Sequence, residues 1–599
     1  MLTVNILSSL LLLGSVSGFA PLPSQRLISQ RPTVSALHVK TPTKPEQPEQ
    51  VAPARPPLPG PGNDDKDSDK DKDLFFKLQL DAADFLAFSG RALDTVEDVL
   101  LHLRRAYEPK ALGALNLQSL STRQGAKPRL VVLGTGWGGH ALVKVIDHEK
   151  YDVVVVSPRN CFVFTPMLAA SAVGTVETSS ITESIKAANP QVTYVQGSVR
   201  SIDAEAHRIT VDTFSSLNVG SSSAAVEKFE LDYSKLVYAV GSKTGTFGIP
   251  GVMEHSYVLK EVSDARRLRR ALLRKFDEAS FPGVDDERRR QLLSFLVIGS
   301  GPTGVEFTGE LSDLLKTDVP RLFPDLVPFI SLKIISAGKT ILPMFDKVLQ
   351  EKGLKTLAAG GANVMLNARV KEITRSAAIL QDGSEVPFGL CFWAGGTEAR
   401  KLTRDTIAKI PGQTEMVGAA REQLTVDGYM RVKGVKDGSI LGIGDAVRVE
   451  GQQFPTTGQV AAQEGAYVAR LLNRGYVLDT DGPPLAPNAA AAPGDKNILS
   501  AAGDWLRLRG DIAARPFHFL NLGVLAYLGS GAGVAELRGG DNTRLLDASG
   551  KVGSFLWRST YVVKQVSMRN RVCVLIDWAK AKTFGRDFTS PSDYYSPEE

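Results

Sequence analysis

Two glycine clusters carry the clearest chemical signal in the chain. The first is Gly134-Thr135-Gly136-Trp137-Gly138-Gly139, entered from the apolar run Arg129–Leu133 and left into a helical stretch. The second is Gly299-Ser300-Gly301-Pro302-Thr303-Gly304, entered from Phe295–Ile298. In such a unit the first glycine permits a tight turn, the second lets the backbone approach a pyrophosphate, and the third lets helix pack on strand. Helix N-terminal N–H groups then face the phosphates. Two units in one chain imply two dinucleotides. The economical pairing is one bound flavin and one diffusible nicotinamide, with hydride passing between stacked rings.

The end of each second strand bears on nucleotide choice. An acid there usually binds ribose hydroxyls and repels a 2′-phosphate. In the first unit, Tyr151–Val156 ends at Ser157, followed by Pro158-Arg159-Asn160. In the second, Leu332–Ile335 ends at Ser336-Ala337-Gly338-Lys339. Ser336 cannot repel a 2′-phosphate and Lys339 can attract one, so NADPH is expected as a substrate alongside NADH; a merely solvated Lys339 is the plain alternative. The three cysteines, Cys161, Cys391 and Cys573, lie far apart. No CxxC or metal-spaced cluster exists, which argues against a disulfide framework, an iron–sulfur or zinc site, and a dithiol redox centre. The DTDG at Asp479 lacks the remaining ligands and closing Glu of a calcium loop, so no metal is expected.

These groups need a scaffold. The 599 residues are 43% apolar and 23% charged, the composition of a globular protein with a sizeable core. The net charge of +5 is small for that length and gives no reason to expect nucleic-acid binding. Residues 1–45 read as a presequence. The apolar run Leu10 to Leu13 and the Phe19-Ala20-Pro21 junction suggest a signal peptide, and an acid-poor stretch with Arg26, Arg31, Lys40 and Lys44 suggests a transit peptide. Together they point to an organelle, a plastid ahead of a mitochondrion. Residues 46–73 are rich in Pro, Lys, Asp and Glu and read as a disordered linker; residues 74–127 show helical spacing of apolar residues. From 128 on, short apolar runs alternate with helical stretches, which predicts an α/β fold with parallel sheets. Residues 476–514 read as a loop insertion. Residues 515–599 mix aromatics such as Trp557 and Tyr561 with Arg558, Lys564, Arg569 and Arg571. Basic, aromatic helices suit a bilayer interface, although a dimer or capping helix looks similar. No run approaches the roughly 20 apolar residues of a membrane span.

Over roughly Pro128 to Phe588 the sequence resembles the type II NAD(P)H:quinone oxidoreductases, also called alternative NADH dehydrogenases. The likeness rests on VVLGTGWGG, VVSPRNCFVFTPML, GTVE (174–177), GIPGV (248–252), GPTGVEFTGEL, GIGDA (442–446), TTGQVAAQEGAYVARLLN and the tail WRSTYVVKQVSMRNRV with DWAKAKTFGRD. The resemblance implies a glutathione-reductase-like fold of two Rossmann-like domains plus a C-terminal helical membrane-association region. The FAD-binding domain would span 128–260 and 401–475, with the NAD(P)H-binding domain, 261–400, inserted between. It implies a non-covalent FAD held by Gly134, Thr135, Gly136, Gly138, Gly139, Ser157, Arg159, Asn160, Thr165, Ala239, Gly241, Gly444 and Asp445. NADH or NADPH would lie on Gly299, Gly301, Pro302, Thr303, Gly304, Ser336, Lys339, Gly395 and Gly396. Asp445 fits a carboxylate accepting ribityl hydroxyls, or else a turn aspartate.

Glu306, in the first turn after the second cluster, is either an acid stabilised by the helix dipole or, as the family implies, a group near flavin and nicotinamide that relays protons or orients the donor. Gln459 and Gln463, spaced i, i+4 on one helix face, would face a lipophilic quinone. The family commonly has Ala where this chain has Gly458, a change that would widen the quinone pocket or loosen the helix. The resemblance further implies an enzyme peripheral to an organelle membrane (thylakoid, or mitochondrial inner membrane), a homodimer through the tail, and no proton pumping. Two other readings share the fold: a sulfide:quinone-type reductase, disfavoured by the missing cysteine pair, and a binding flavoprotein like apoptosis-inducing factor, disfavoured by the tail and glutamine pair.

Overall fold

The computed structural model describes residues 127–214, 226–416, 422–487, 513–538 and 544–589. The expected presequence, linker and helical extension precede Lys127 and lie outside the described residues, as does 488–512 of the expected loop insertion.

Strand β1 (Arg129–Leu133) is buried along its whole length, as a central parallel strand must be. It ends at Gly134, whose φ of +107° suits glycine and where an added Cβ would lie 2.6 Å from the Ala239 carbonyl oxygen. Helix α1 (Trp137–Val145) follows. A Cβ on Gly139 would lie 2.1 Å from the Gly134 carbonyl oxygen, so helix rests on strand only where no side chain intervenes. β2 (Asp152–Ser157) runs parallel to β1 with Leu133 opposite Val156. β3 (Thr193–Asp203) is parallel to β2, and β4 (Arg208–Phe214) and β5 (Val226–Asp232) extend the sheet antiparallel. β6 (Lys235–Tyr238) takes the other side of β1.

The chain then builds a second unit. After α2 (Val262–Ser280) come β7 (Ser294–Ile298), α3 (Pro302–Thr317), β8 (Ser331–Ile335), β9 (Ala362–Met365) and β10 (Leu390–Trp393). The strands form a parallel sheet in the order β9-β8-β7-β10. Its Gly-rich turn repeats the first, with Gly299 at φ +113°. β11 (Ile440–Gly442) returns to pair with β6, completing the seven-stranded order β11-β6-β1-β2-β3-β4-β5. The second unit is therefore an insertion within the first. α4 (Gly458–Asn473) then crosses α1 closely; a Cβ on Gly465 would lie 2.2 Å from the Gly138 carbonyl oxygen.

The C-terminal region is not purely helical. It opens with a three-stranded antiparallel sheet, β12 (Val524–Gly529), β13 (Ala532–Arg538) and β14 (Arg544–Ser549), before α5 (Gly550–Val563) and α6 (Met568–Phe584). The signal was Gly529-Ser530-Gly531, which all take positive φ between two apolar runs, a hairpin turn. This module straps both nucleotide units. Lys144 Nζ of α1 donates to the Val566 carbonyl at 2.5 Å, and Asn570 Nδ2 donates to Ser180 and Thr182 carbonyls. Arg586 pairs with Asp318 at 2.8 Å at the end of α3. The outward side of α5 and α6 exposes Val552, Phe555, Val572, Leu575, Ile576 and Phe584, an apolar face rather than isolated residues. Among the described residues no helix is long and apolar enough to cross a membrane.

Gly139→Ala tests the strand–helix contact. The overpacked turn should cost about 1–3 kcal/mol, read as a lower melting temperature and flavin loss on purification. Unchanged flavin absorbance and melting would contradict the geometry.

Candidate functional site

The parallel strands of both units end facing one cavity of about 650 Å³. Such crevices at strand carboxyl ends are where open α/β sheets bind ligands. From the first unit the wall takes Gly134, Thr135, Gly136, Gly138, Ser157, Arg159, Thr165, Ala239, Gly241, Gly444 and Asp445. From the second it takes Pro302, Thr303, Glu306 and Gly396. Residues expected at two separate sites thus share one space.

The first unit fits a flavin dinucleotide. A Cβ on Gly136 would meet only the Arg159 guanidinium, at 3.6 Å, so the backbone is open to a pyrophosphate beside a cation. Ser157 is buried and shares its hydroxyl with Thr135, 3.3 Å away. Glu261, at the N-cap of α2, lines the cavity and pairs with Arg159. Asp445 Oδ2 accepts from Ser242 Oγ at 2.8 Å, and Lys260 Nζ donates to the same Ser242 at 3.1 Å. Burial lowers the Lys260 ammonium pKa despite Asp445. Lys260, Glu261 and Arg400 also line the cavity, and no motif in the sequence pointed to them. Asn160 is exposed and stays off the cavity wall. Gly139 lies off the wall too and acts in packing.

In the second unit, Gly301 is open to solvent and Pro302 and Thr303 begin α3 on the cavity wall. Gly299 and Gly304 shape the turn instead: a Cβ on Gly304 would lie 1.9 Å from the Gly299 carbonyl oxygen. Ser336 is buried, bonded to Ser300 Oγ at 2.6 Å and accepting from Gly338 N at 3.1 Å. It therefore braces the turn and presents no charge, while Lys339 is exposed nearby. Gly395 lies against the Trp393 ring, whose indole N–H donates to the Gly245 carbonyl at 2.8 Å.

Glu306 is buried on the cavity wall. It is 7% exposed, and its Oε1 accepts from Trp557 Nε1 at 3.0 Å and from Tyr527 N at 3.3 Å. Burial pushes its carboxyl up to about 8, with neighbouring Glu310 adding to the rise and the two donors opposing it. One turn on, Glu310 is also raised by burial, held against Thr175 and Arg586. Glu306 lies past the first turn of α3, and both donors to its Oε1 come from the C-terminal module. Trp557 and Tyr561, read in the sequence as bilayer-facing aromatics, point inward, and Tyr561 and Leu525 line the cavity. The i, i+4 spacing of Trp557 and Tyr561 shows a shared face but not which way it looks.

The glutamine pair separates. Gln463 is engaged by the backbone: its Nε2 donates to the Leu520 carbonyl and its Oε1 accepts from Leu520 N, each at 3.0 Å. It pins the segment before β12 rather than presenting its amide. Gln459 Nε2 is buried with no hydrogen-bond partner among the described residues. Gly458 lines the cavity and packs on the Trp137 indole; a Cβ there would lie 2.6 Å from that ring. Trp137 Nε1 in turn donates to Thr165 Oγ1 at 3.0 Å. Further along α4, buried Glu464 accepts from Gly444 N at 2.6 Å, and burial pushes it up to about 8. All three cysteines are free. Among the described residues no group of His, Cys, Asp and Glu could hold a metal ion.

A family model for pyridine nucleotide-disulphide oxidoreductases matches residues 128–465, and one for the NDH2 C-terminal domain matches residues 521–587. The chain is similar to a probable NADH dehydrogenase of Dictyostelium discoideum, 35% identical over 77% of this chain and 91% of that protein. It is similar to the mitochondrial internal alternative NAD(P)H-ubiquinone oxidoreductase A1 of Arabidopsis thaliana, 35% identical over 83% and 91%. The mitochondrial external NADH-ubiquinone oxidoreductase 2 of Saccharomyces cerevisiae is 34% identical over 78% and 84%. Among solved structures, NDH2 from Plasmodium falciparum in complex with NADH shares the fold, with a TM-score of 0.65 at 24% identity over 78% of this chain and 100% of that one.

Glu464 makes the electrostatics testable. Because its folded pKa is raised, its contribution to stability is fully present below about 4.5 and is lost as the pH climbs to about 8. Glu464→Gln keeps an acceptor for Gly444 N and removes that loss. The melting temperature of the variant relative to the parent should therefore rise between about pH 4.5 and about pH 8, and stand higher at pH 9 than at pH 4.5. Equal differences at both pH values would show that Glu464 is ionised in the fold throughout.

Proposed function

The chain belongs to the type II NADH dehydrogenase family, and from that premise we infer a flavoprotein NAD(P)H:quinone oxidoreductase that pumps no protons. The observation that carries this reading is the single cavity shared by both Gly-rich turns and Glu306. The FAD that these residues fit would accept a hydride from the nicotinamide and return two electrons to a quinone. Gly134, Gly136, Arg159 and Asp445 would hold it, and Pro302, Thr303 and Gly396 would seat the nicotinamide nucleotide against it. Reducing a quinone to a quinol with one hydride donor takes up one proton from solvent per turnover. Glu306, neutral up to about pH 8, is the group on the cavity wall that can hold that proton. Gln459, whose amide keeps an unused donor, is the residue of the glutamine pair we assign to a quinone carbonyl.

Ser336, at the end of β8 where an acid would repel a 2′-phosphate, is neutral and internally bonded. We therefore expect both NADH and NADPH to be used. Membrane association is peripheral, through the exposed apolar face of α5 and α6. Relatives whose names give a compartment are mitochondrial. The plastid destination rests on the presequence pattern alone, and imaging residues 1–45 fused to a fluorescent protein separates the two. Dimerisation through the tail stays a proposal, tested by mass in detergent-free solution.

Anaerobic mixing of the purified holoenzyme with NADH or NADPH should bleach the flavin, and a short-chain ubiquinone should restore it. Glu306→Gln should keep its flavin and slow turnover at least tenfold, in the range of a lost general acid. A flavin untouched by either nucleotide would refute the activity, and strict NADH use would refute the nucleotide reading. For the membrane face, the double change Phe555→Asp and Ile576→Asp should cut liposome binding at least tenfold, since each side chain is worth about 1.5–3 kcal/mol when buried. Turnover with a water-soluble quinone should persist. Undiminished liposome binding would move the anchor elsewhere.

A further inference from the structure

Trp557, on helix α5, hydrogen-bonds a group of the cavity wall. Its indole is 3% exposed and donates to Glu306 Oε1 at 3.0 Å. It is fixed by Tyr527 and Tyr561, with ring centroids 5.4 and 4.8 Å away. Both bonds to the carboxyl fall on Oε1, which leaves Oε2 for the cavity that Glu306 lines. An indole N–H donates and never titrates, so it holds the carboxyl in one orientation whatever its charge. Two and five residues before Trp557, Phe555 and Val552 are 67% and 61% exposed on the apolar outer face.

We propose that Trp557 is a positioning residue for the quinone reductase reaction: through its N–H it orients the Glu306 carboxyl toward the flavin and nicotinamide, so that the membrane-binding module completes the active site. The proposal rests on the reading of Glu306 as the proton-holding group. Removing the N–H leaves Tyr527 N as the remaining donor to a buried carboxyl. The other groups facing it are Glu310 on its own helix and Tyr561 on α5; Arg558 and Arg586 act on Glu310 instead. None of these replaces a neutral donor at Oε1. Loss of a hydrogen bond to the charged form favours the neutral one, so Trp557→Phe should extend the active, protonated range to higher pH.

The test compares the full-length holoenzyme with Trp557→Phe, Glu306→Gln and the double variant, using NADH and a water-soluble quinone. Trp557→Phe should shift the alkaline limb of the kcat/KM profile upward by about one pH unit, the size of one charge-assisted bond, with liposome binding unchanged. Glu306→Gln should abolish that limb, and Trp557→Phe should then move nothing further. Independently of turnover, ultraviolet resonance Raman difference spectra should show one bonded indole N–H lost in Trp557→Phe and weakened in Glu306→Leu, while the bonded N–H groups of Trp137 and Trp393 stay unchanged. If the phenylalanine variant loses its flavin, benzothienylalanine at 557 keeps the ring shape and lacks the N–H. A limb that stays in place, or a shift that persists in the Glu306→Gln background, overturns the role of Trp557. If Glu306→Gln itself leaves the profile unaltered, the reading of Glu306 falls as well.

Discussion

The burial of one carboxyl, that of Glu306, is the constraint on which the rest of the site depends. A carboxylate so enclosed loses its water, and the group responds by staying protonated and by taking donors from the protein. Three parts of the chain meet to enclose it. The second nucleotide unit contributes the residue, the first contributes the cavity it lines, and the C-terminal module contributes both hydrogen bonds at Oε1. The module therefore cannot be a detachable anchor. Gly309 on α3 shows how close the contact is, since a Cβ there would lie 2.6 Å from the backbone of Gly529.

The two nucleotide units solve one steric problem twice. Each ends its central strand in a glycine at φ above +100° and lets the next helix touch the turn through a glycine. Because the second unit is inserted before β11 completes the first sheet, the two sets of strand ends come to face one space. Hydride transfer needs that proximity, since reacting atoms must be held within a few ångströms.

The strand–glycine–helix units were legible because period, turn residues and spacing all agree there. The insertion and the roles of the site residues came from the likeness to the family. What the sequence hid were contacts made across long separations. Glu261, pairing with Arg159 on the cavity wall, and Trp557, bonding Glu306 from 251 residues away, have no local signature. Gln463 shares a helix face with Gln459, yet its amide is fixed by the Leu520 backbone, and periodicity cannot report that. The tail's aromatic and basic composition fitted a bilayer face, but burial divides it: Trp557 looks inward while Phe555 looks out.

The exposed apolar residues of α5 and α6 and the cavity-lining Leu525 and Tyr561 thus belong to one C-terminal module. The account turns on Glu306 being neutral under ordinary conditions. Infrared difference spectroscopy between the full chain and Glu306→Gln, scanned from about pH 5 to about pH 10, reads this directly. A protonated-carboxyl band that is present at neutral pH, vanishes with a midpoint near 8 and is missing from the variant is the expected result. A carboxylate band from Glu306 already complete at about pH 6 would contradict the account.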